Sequence, residues 1–271
     1  MKKIKIAFFD IDGTLIDMNT KEISSKTIYA LNELKSKGIK ICVATGRGPM
    51  TLPEFDEVEF DAYLTFNGSY CYNTEKTLYS NPISKDDLQI LLENAARLQR
   101  PVSIATSKRL AANGWNKELA EYYEFAKLKL ESSKDFDQII HEKVYQAMLS
   151  GTEDEYGDIL KNTKNVKIAA WWDKAVDVIP ATGGKGKGIQ EILAYYKFEK
   201  DEAIAFGDGN NDIEMFEVVG TAVAMGNASE KLKEIATDLC GHVADDGIYH
   251  YCVNCGLIEN KIDGEIEILI T

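Results

Sequence analysis

Asp10 and Asp12 stand two residues apart where a short apolar run, residues 4–9, stops. The run is β-branched and aromatic and reads as a strand buried on both faces. Side chains two apart in extended chain point the same way, so both carboxylates can address one site. Gly13 follows and lets the chain turn sharply with φ > 0. Crowded carboxylates repel each other and call for a cation, a shared proton, or both. Taken alone, the segment is equally an Asp-Gly turn with solvated side chains.

Three further clusters weigh against that bland reading. Thr45-Gly46-Arg47 follows the apolar run 39–44, Lys185 sits in the glycine-rich stretch 182–188, and Asp208, Asn211 and Asp212 follow the run 202–206. Chemistry on a phosphate ester needs such an inventory: a nucleophile, a metal to neutralise charge on both partners, and donors for the equatorial oxygens. Carboxylates are hard ligands suited to Mg²⁺, which binds through one or two of them plus phosphate. Thr45 can donate a hydroxyl hydrogen bond, and Lys185 can screen charge between nucleophile and phosphate.

The elements that must position these groups alternate. Ser24 or Ser25 caps a helix with Ile28, Leu31 and Leu34 at helical spacing, ending at Gly38. Strands over 39–44 and 61–66 follow, the second ending in Asn67-Gly68. Strand, helix, strand with polar strand ends is the pattern of a parallel βαβ sheet, and ligands bind such sheets beyond the carboxyl ends of the strands. The pattern changes near Pro82. A helix over 86–100 leads to short strands at 102–106, 144–149, 168–172 and 175–179, with helices near 116–129 and from Thr152, where Glu155 completes a capping box. These strands alternate apolar and polar, which predicts an antiparallel sheet with one covered face. Residues 84–181 are therefore expected to be an inserted second domain. The first pattern resumes after Pro180, with a helix through Ile189, Ile192 and Leu193, strands over 202–206 and 221–225, and a closing helix.

The order Asp-x-Asp-Gly-Thr, Thr-Gly-Arg, Lys-Gly and Gly-Asp-Gly-x-Asn-Asp resembles the four motifs of the haloacid dehalogenase superfamily. The long insertion between Thr45 and Lys185 resembles its type IIB capped, Cof-like hydrolases. The resemblance implies an α/β fold: a Rossmann-like, doubly wound parallel-sheet core over 1–83 and 182–271, with an inserted α/β cap over 84–181. It implies that Asp10 is the nucleophile, forming an aspartyl-phosphate, and that Asp12 is the general acid and base. Mg²⁺ would be held by the Asp10 carboxylate, the Asp12 backbone carbonyl and Asp208. Thr45 and Lys185 would bind the phosphoryl group, with Asn211 and Asp212 in support. Gly46, Arg47, Asn67 and Asn211 are expected to face the substrate. The function implied is hydrolysis of small phosphorylated metabolites such as sugar phosphates, nucleotides or phosphorylated cofactors. A phosphotransferase or mutase on the same scaffold is the alternative. A non-catalytic ligand-binding module is disfavoured because Asp10 and Asp208 are both present.

Other features carry less. Lys187 rivals Lys185, but Lys-Gly before an apolar helix favours Lys185, and Gly188 after Lys187 breaks a P-loop pattern. Cys252 and Cys255, with Cys240 and His242, could form a zinc site, though their spacing is short for one. Tyr122, Tyr123 and Phe125 read as helix packing. Of Trp171 and Trp172, one is expected to face the cap core. A net charge of −13 without a basic block argues against a nucleic-acid surface. No apolar run reaches the roughly 20 residues that span a bilayer. Asp10 and Asp12 interrupt any signal-like segment, and five cysteines suggest a reducing, cytoplasmic setting. No protein partner is expected.

Overall fold

The computed structural model describes residues 3–125, 128–170 and 172–261. Thirteen strands fall into two sheets among these residues. In chain order they are β1 Ile6–Phe9, β2 Lys40–Ala44, β3 Ala62–Thr65, β4 Tyr70–Tyr72, β5 Thr77–Ser80, β6 Val102–Ala105, β7 Leu110–Ala112, β8 Gln146–Ser150, β9 Val166–Ala169, β10 Ala175–Pro180, β11 Ala203–Gly207, β12 Thr221–Ala224 and β13 Asp238–Leu239. The larger sheet runs β13-β12-β11-β1-β2-β3-β4-β5. Its six strands from β13 to β3 are parallel, and β4 and β5 extend it as an antiparallel edge.

The sequence explains this layout. Four strands in a row, β12, β11, β1 and β2, are buried at almost every position, as parallel strands covered on both faces must be. The helix Ser25–Ser36 packs with the helix Gly247–Asn254, and Lys185–Tyr196 packs with Ile213–Glu217. Ser24 caps the first of these through its side chain, and Gly38 ends it at φ +79°. The turn from β1 through Gly13 needs positive φ, and Gly13 has +88°. The hairpin of β4 and β5 was not expected. Its strands are short, and their tyrosines are only half-buried, so they leave little hydrophobic pattern.

The second sheet, β7-β6-β8-β10-β9, is antiparallel throughout, as expected, but it is not covered on one face only: its central strands β6, β8 and β10 are buried at every position. One face packs under the helix Lys85–Arg97, through Val102, Ile104, Ala147, Leu149, Val176 and Val178 against Leu88 and Leu91. Boundaries shift where sequence periodicity is weakest. The strand expected over 168–172 is β9, two residues earlier, and of the helix expected over 116–129 the described residues show Lys117–Phe125, with 128–129 outside any helix. β7 was not foreseen at all. The capping box of Thr152 and Glu155 forms, on a single 3₁₀ turn that continues into Tyr156–Ile159. Trp171 and the side chain of Phe125 lie outside the described residues. Trp172 packs against Tyr122, with ring centroids 6.2 Å apart.

Candidate active site

Parallel strands end on the same edge of the sheet, and three of them deliver the motif residues side by side. Asp10 leaves β1, which lies between β2, leading to Thr45, and β11, leading to Asp208. Asp10 N–H donates to the Phe206 carbonyl, which continues the β1–β11 ladder to the site. The loop after β2 and the one after β3 are zipped together, with Phe66 N–H on Arg47 O and Asn67 N–H on Thr45 O.

Lys185 opens its helix and is 1% exposed. Its Nζ donates to Asp10 Oδ1 and, at 2.5 Å, to Asp212 Oδ1. Burial alone would lower the lysine pKa, but Asp10 and Asp212 outweigh that and raise it, so the ammonium is secure. The second oxygen of Asp212 accepts the backbone N–H of Asp208 at 2.9 Å and of Gly209 at 3.0 Å. Asp212 thereby fixes both the lysine and the Asp208 loop. Thr14 donates to Asp208 Oδ1 at 2.9 Å, and Asn227 ties to Gly13 O at 2.7 Å.

One carboxylate oxygen each from Asp10, Asp208 and Asp212 lie within 4.8 Å of one another. Three carboxylates against one ammonium leave two negative charges when all are ionised. Burial pushes the Asp10 carboxyl well above its usual range, opposed by Lys185 and reinforced by the neighbouring aspartates. Burial likewise raises Asp208 to about 7, with Asp212 adding to the shift. A hard divalent cation fits this donor set and would balance its charge.

Asp12 and Arg47 take unexpected positions. Arg47 grips Asp12 bidentately, Nε to Oδ2 at 2.7 Å and Nη2 to Oδ1 at 2.6 Å, and Nη1 donates to Thr51 O at 2.9 Å. Arg47 still borders the cavity above the aspartates, but its guanidinium serves the carboxylate first. Thr45 is buried, and its Oγ1 accepts Arg47 N–H at 3.1 Å. Asn67 is buried with φ +50°, takes Asn211 Nδ2 on its Oδ1 at 3.2 Å, and lies against Gly46.

The cavity over these groups measures about 350 Å³, and the second sheet forms its far wall. Gly46, Asn211 and Asp208 line the floor; Gln146, Met148 and Asp177 come from the cap strands. Tyr122 and Tyr123 are packing residues, as expected, but they also line the cavity, and their hydroxyls reach Asp177 and Ser103. Sequence reasoning missed Asp177. Its signal is visible in retrospect: one carboxylate between two valines in an apolar strand. The cysteines gather no ligand cluster among the described residues. Cys252 is buried, Cys255 is exposed, and His242 Nδ1 accepts the N–H of Ala244.

The profile of the haloacid dehalogenase-like hydrolases matches residues 7–252, and the chain belongs to that family of enzymes. YkrA of Bacillus subtilis, which bears a provisional phosphatase name, is 30% identical over 94% of this chain and 99% of its own. A 5-amino-6-(5-phospho-D-ribitylamino)uracil phosphatase of the same organism is 24% identical, over 89% of this chain and 94% of its own. A solved subclass IIB sugar phosphatase superposes with a TM-score of 0.85 at 30% identity, covering 94% of this chain and all of that one. A phosphatase of the same superfamily from Bacteroides thetaiotaomicron gives 0.88 at 27% identity, over 94% and 96%.

Proposed function

We propose that the chain is a Mg²⁺-dependent phosphomonoester hydrolase acting on small phosphorylated metabolites through an aspartyl-phosphate on Asp10. The observation that carries this reading is the buried Lys185 held between Asp10 and Asp212, with Asp10 and Asp208 opening onto the cavity beneath the second sheet. Mg²⁺ would be held by Asp10, Asp208 and the Asp12 carbonyl, and when bound it supplies charge neutralisation between carboxylate and phosphate. Residues 84–181 are taken as the cap that closes the site.

In the first step an Asp10 carboxylate oxygen attacks phosphorus and the bond to the leaving oxygen breaks. Asp12 gives that oxygen its proton. Lys185 and the Thr45 hydroxyl hold the phosphoryl oxygens. In the second step water attacks phosphorus, Asp12 takes the water's proton, and the bond to Asp10 breaks. The ion pair with Arg47 is a contact of the Asp12 carboxylate, the form that serves the second step. Donation in the first step requires that grip to open, so Arg47 is assigned to positioning Asp12 as well as to the substrate edge. The cap wall excludes water while the first step proceeds.

The test is phosphate release from a panel of metabolites with Mg²⁺ present and removed. Turnover should vanish in chelator and return with Mg²⁺. Full turnover after exhaustive metal removal would overturn the reading. Isomerised phosphate in place of free phosphate, with a hexose monophosphate and catalytic bisphosphate, would favour a mutase.

A further inference from the structure

A fourth strand reaches the edge where β1, β2 and β11 deliver the motif residues. β12 runs parallel beside β11, and the loop after it carries Asn227. Both ends of the Asn227 side chain are engaged. Oδ1 accepts the N–H of Val243 at 3.1 Å, at the start of the 3₁₀ turn Val243–Asp245. Nδ2 donates to Gly13 O at 2.7 Å and, at 3.4 Å, to Asp208 Oδ2. An amide nitrogen carries two hydrogens, so the two acceptors need not compete for one. They belong to different loops. Gly13 follows Asp12, whose backbone carbonyl is the ligand assigned to the loop after β1, and Asp208 is the ligand assigned to the loop after β11. The remaining acceptors of Asp208 are taken as well: Oδ1 by the Thr14 hydroxyl at 2.9 Å, and its backbone carbonyl by the N–H of Ser229 at 2.9 Å.

A purely structural role, tying the loop after β12 to the Val243 turn, accounts for the oxygen of Asn227 and leaves its nitrogen unexplained. The nitrogen joins the two loops that supply the assigned ligands. The charge of the donor matters too. A lysine or arginine in this place could hold the same acceptors, but its positive charge would repel a divalent cation bound next to it. A neutral amide holds the carboxylate without that repulsion. We propose that Asn227 is a positioning residue for the cation site, fixing Asp208 against the Gly13 turn so that the two loops present their oxygens together. Partners that orient metal ligands in this way are worth about 10–100-fold in metal affinity. The inference rests on the Mg²⁺-dependent hydrolase reading above, and no step of the reaction passes through Asn227.

The experiment titrates Mg²⁺ into wild type and Asn227→Ala and follows two signals, the metal-induced rise in Tm and phosphate release from p-nitrophenyl phosphate. Both midpoints should move to Mg²⁺ concentrations about tenfold higher or more in the variant. At saturating Mg²⁺ its kcat should return to within about threefold of wild type, because Asn227 takes no part in the chemical steps. Should Asn227→Ala fail to fold, Asn227→Ser, which keeps a polar side chain and removes the amide, carries the same titrations. A folded variant whose Mg²⁺ midpoints match wild type overturns the proposal and leaves the hydrolase reading intact, whatever its metal-free Tm. A kcat that stays more than about tenfold low at saturating Mg²⁺ also overturns it, by giving Asn227 a part in the chemistry. A wild type whose Tm ignores Mg²⁺ and which releases no phosphate overturns the hydrolase reading and this one together.

Discussion

The floor and the far wall of the cavity solve opposite problems. On the floor each charged group has a fixed partner: Lys185 between Asp10 and Asp212, Asp212 on two backbone amides, Thr14 on Asp208, Arg47 on Asp12. Such preorganisation suits one unvarying reaction, because no group has to reorient as charge develops. On the wall a single carboxylate stands among apolar side chains, with an amide oxygen left over. An incompletely paired wall suits a guest that changes from one relative to another, at some expense of stability when the cavity is empty. On the proposed function, the chemistry belongs to the floor and the choice of substrate to the wall.

The sharpest way to break this contrast is to remove the nucleophile. Asp10→Asn should lower turnover of every ester by at least about 10³-fold, whatever its leaving group. Residual turnover that varied with leaving group would mean that the wall, too, does chemistry. Asp12→Ala should separate leaving groups: steady turnover of sugar phosphates is lost, while p-nitrophenyl phosphate, which needs no proton, gives a burst of about one nitrophenolate per enzyme in rapid mixing. Steady turnover of sugar phosphates by this variant would remove Asp12 from the mechanism.

Gly13→Ala tests the floor's rigidity. A Cβ there would lie 2.2 Å from Asp208 Oδ2, on a backbone at φ +88°. The Mg²⁺ concentration for half-activity should rise about tenfold, as expected when a metal ligand is pushed aside. An unchanged metal titration in the folded variant would show that Asp208 is not held where the floor needs it.

The smallest effect belongs to the wall. Burial raises Asp177 to about 7 from an ordinary value of 3.8, opposed by the Tyr122, Gln146 and Asn67 side chains. The folded protein therefore binds this proton more tightly than the unfolded chain. Its stabilising contribution is complete below about pH 4 and is lost as pH rises through about 7. In Asp177→Asn that loss is absent. Two pH units of lost linkage amount to about 2.7 kcal/mol, so relative to wild type the variant should gain about 5–10 °C in Tm between pH 5 and pH 8 in thermal melts. A constant difference across that range would count against a protonated Asp177.

The floor was legible in the sequence because polar residues at the ends of apolar strands are conspicuous. Asp10, Thr45 and Asp208 were each found that way, and the parallel order of their strands brings them together. The partnership of Arg47 with Asp12 was not legible, since 35 residues separate them and only the fold sets which of two nearby anions, carboxylate or substrate phosphate, the guanidinium meets. Asp177 was passed over for a related reason. A lone carboxylate in an apolar strand carries no spacing rule, and its meaning depends on Tyr122 and Gln146, which reach it from other elements. Short pieces such as β7 and the β4–β5 hairpin have too few residues for a period to show.

The ladder between β1 and β11 also bears on how the chain must be made. Ile6 pairs with Ala203, and Lys185 reaches back 175 residues to Asp10. A ribosome emits β1 early and its neighbour very late, so the central strand waits with one edge open while the whole insertion is synthesised. The antiparallel strands from Val102 to Pro180 have near neighbours and can close meanwhile. A chain stopped after Pro180 would carry a finished wall above an unfinished floor, with an apolar, unpaired strand edge exposed to any other chain it meets.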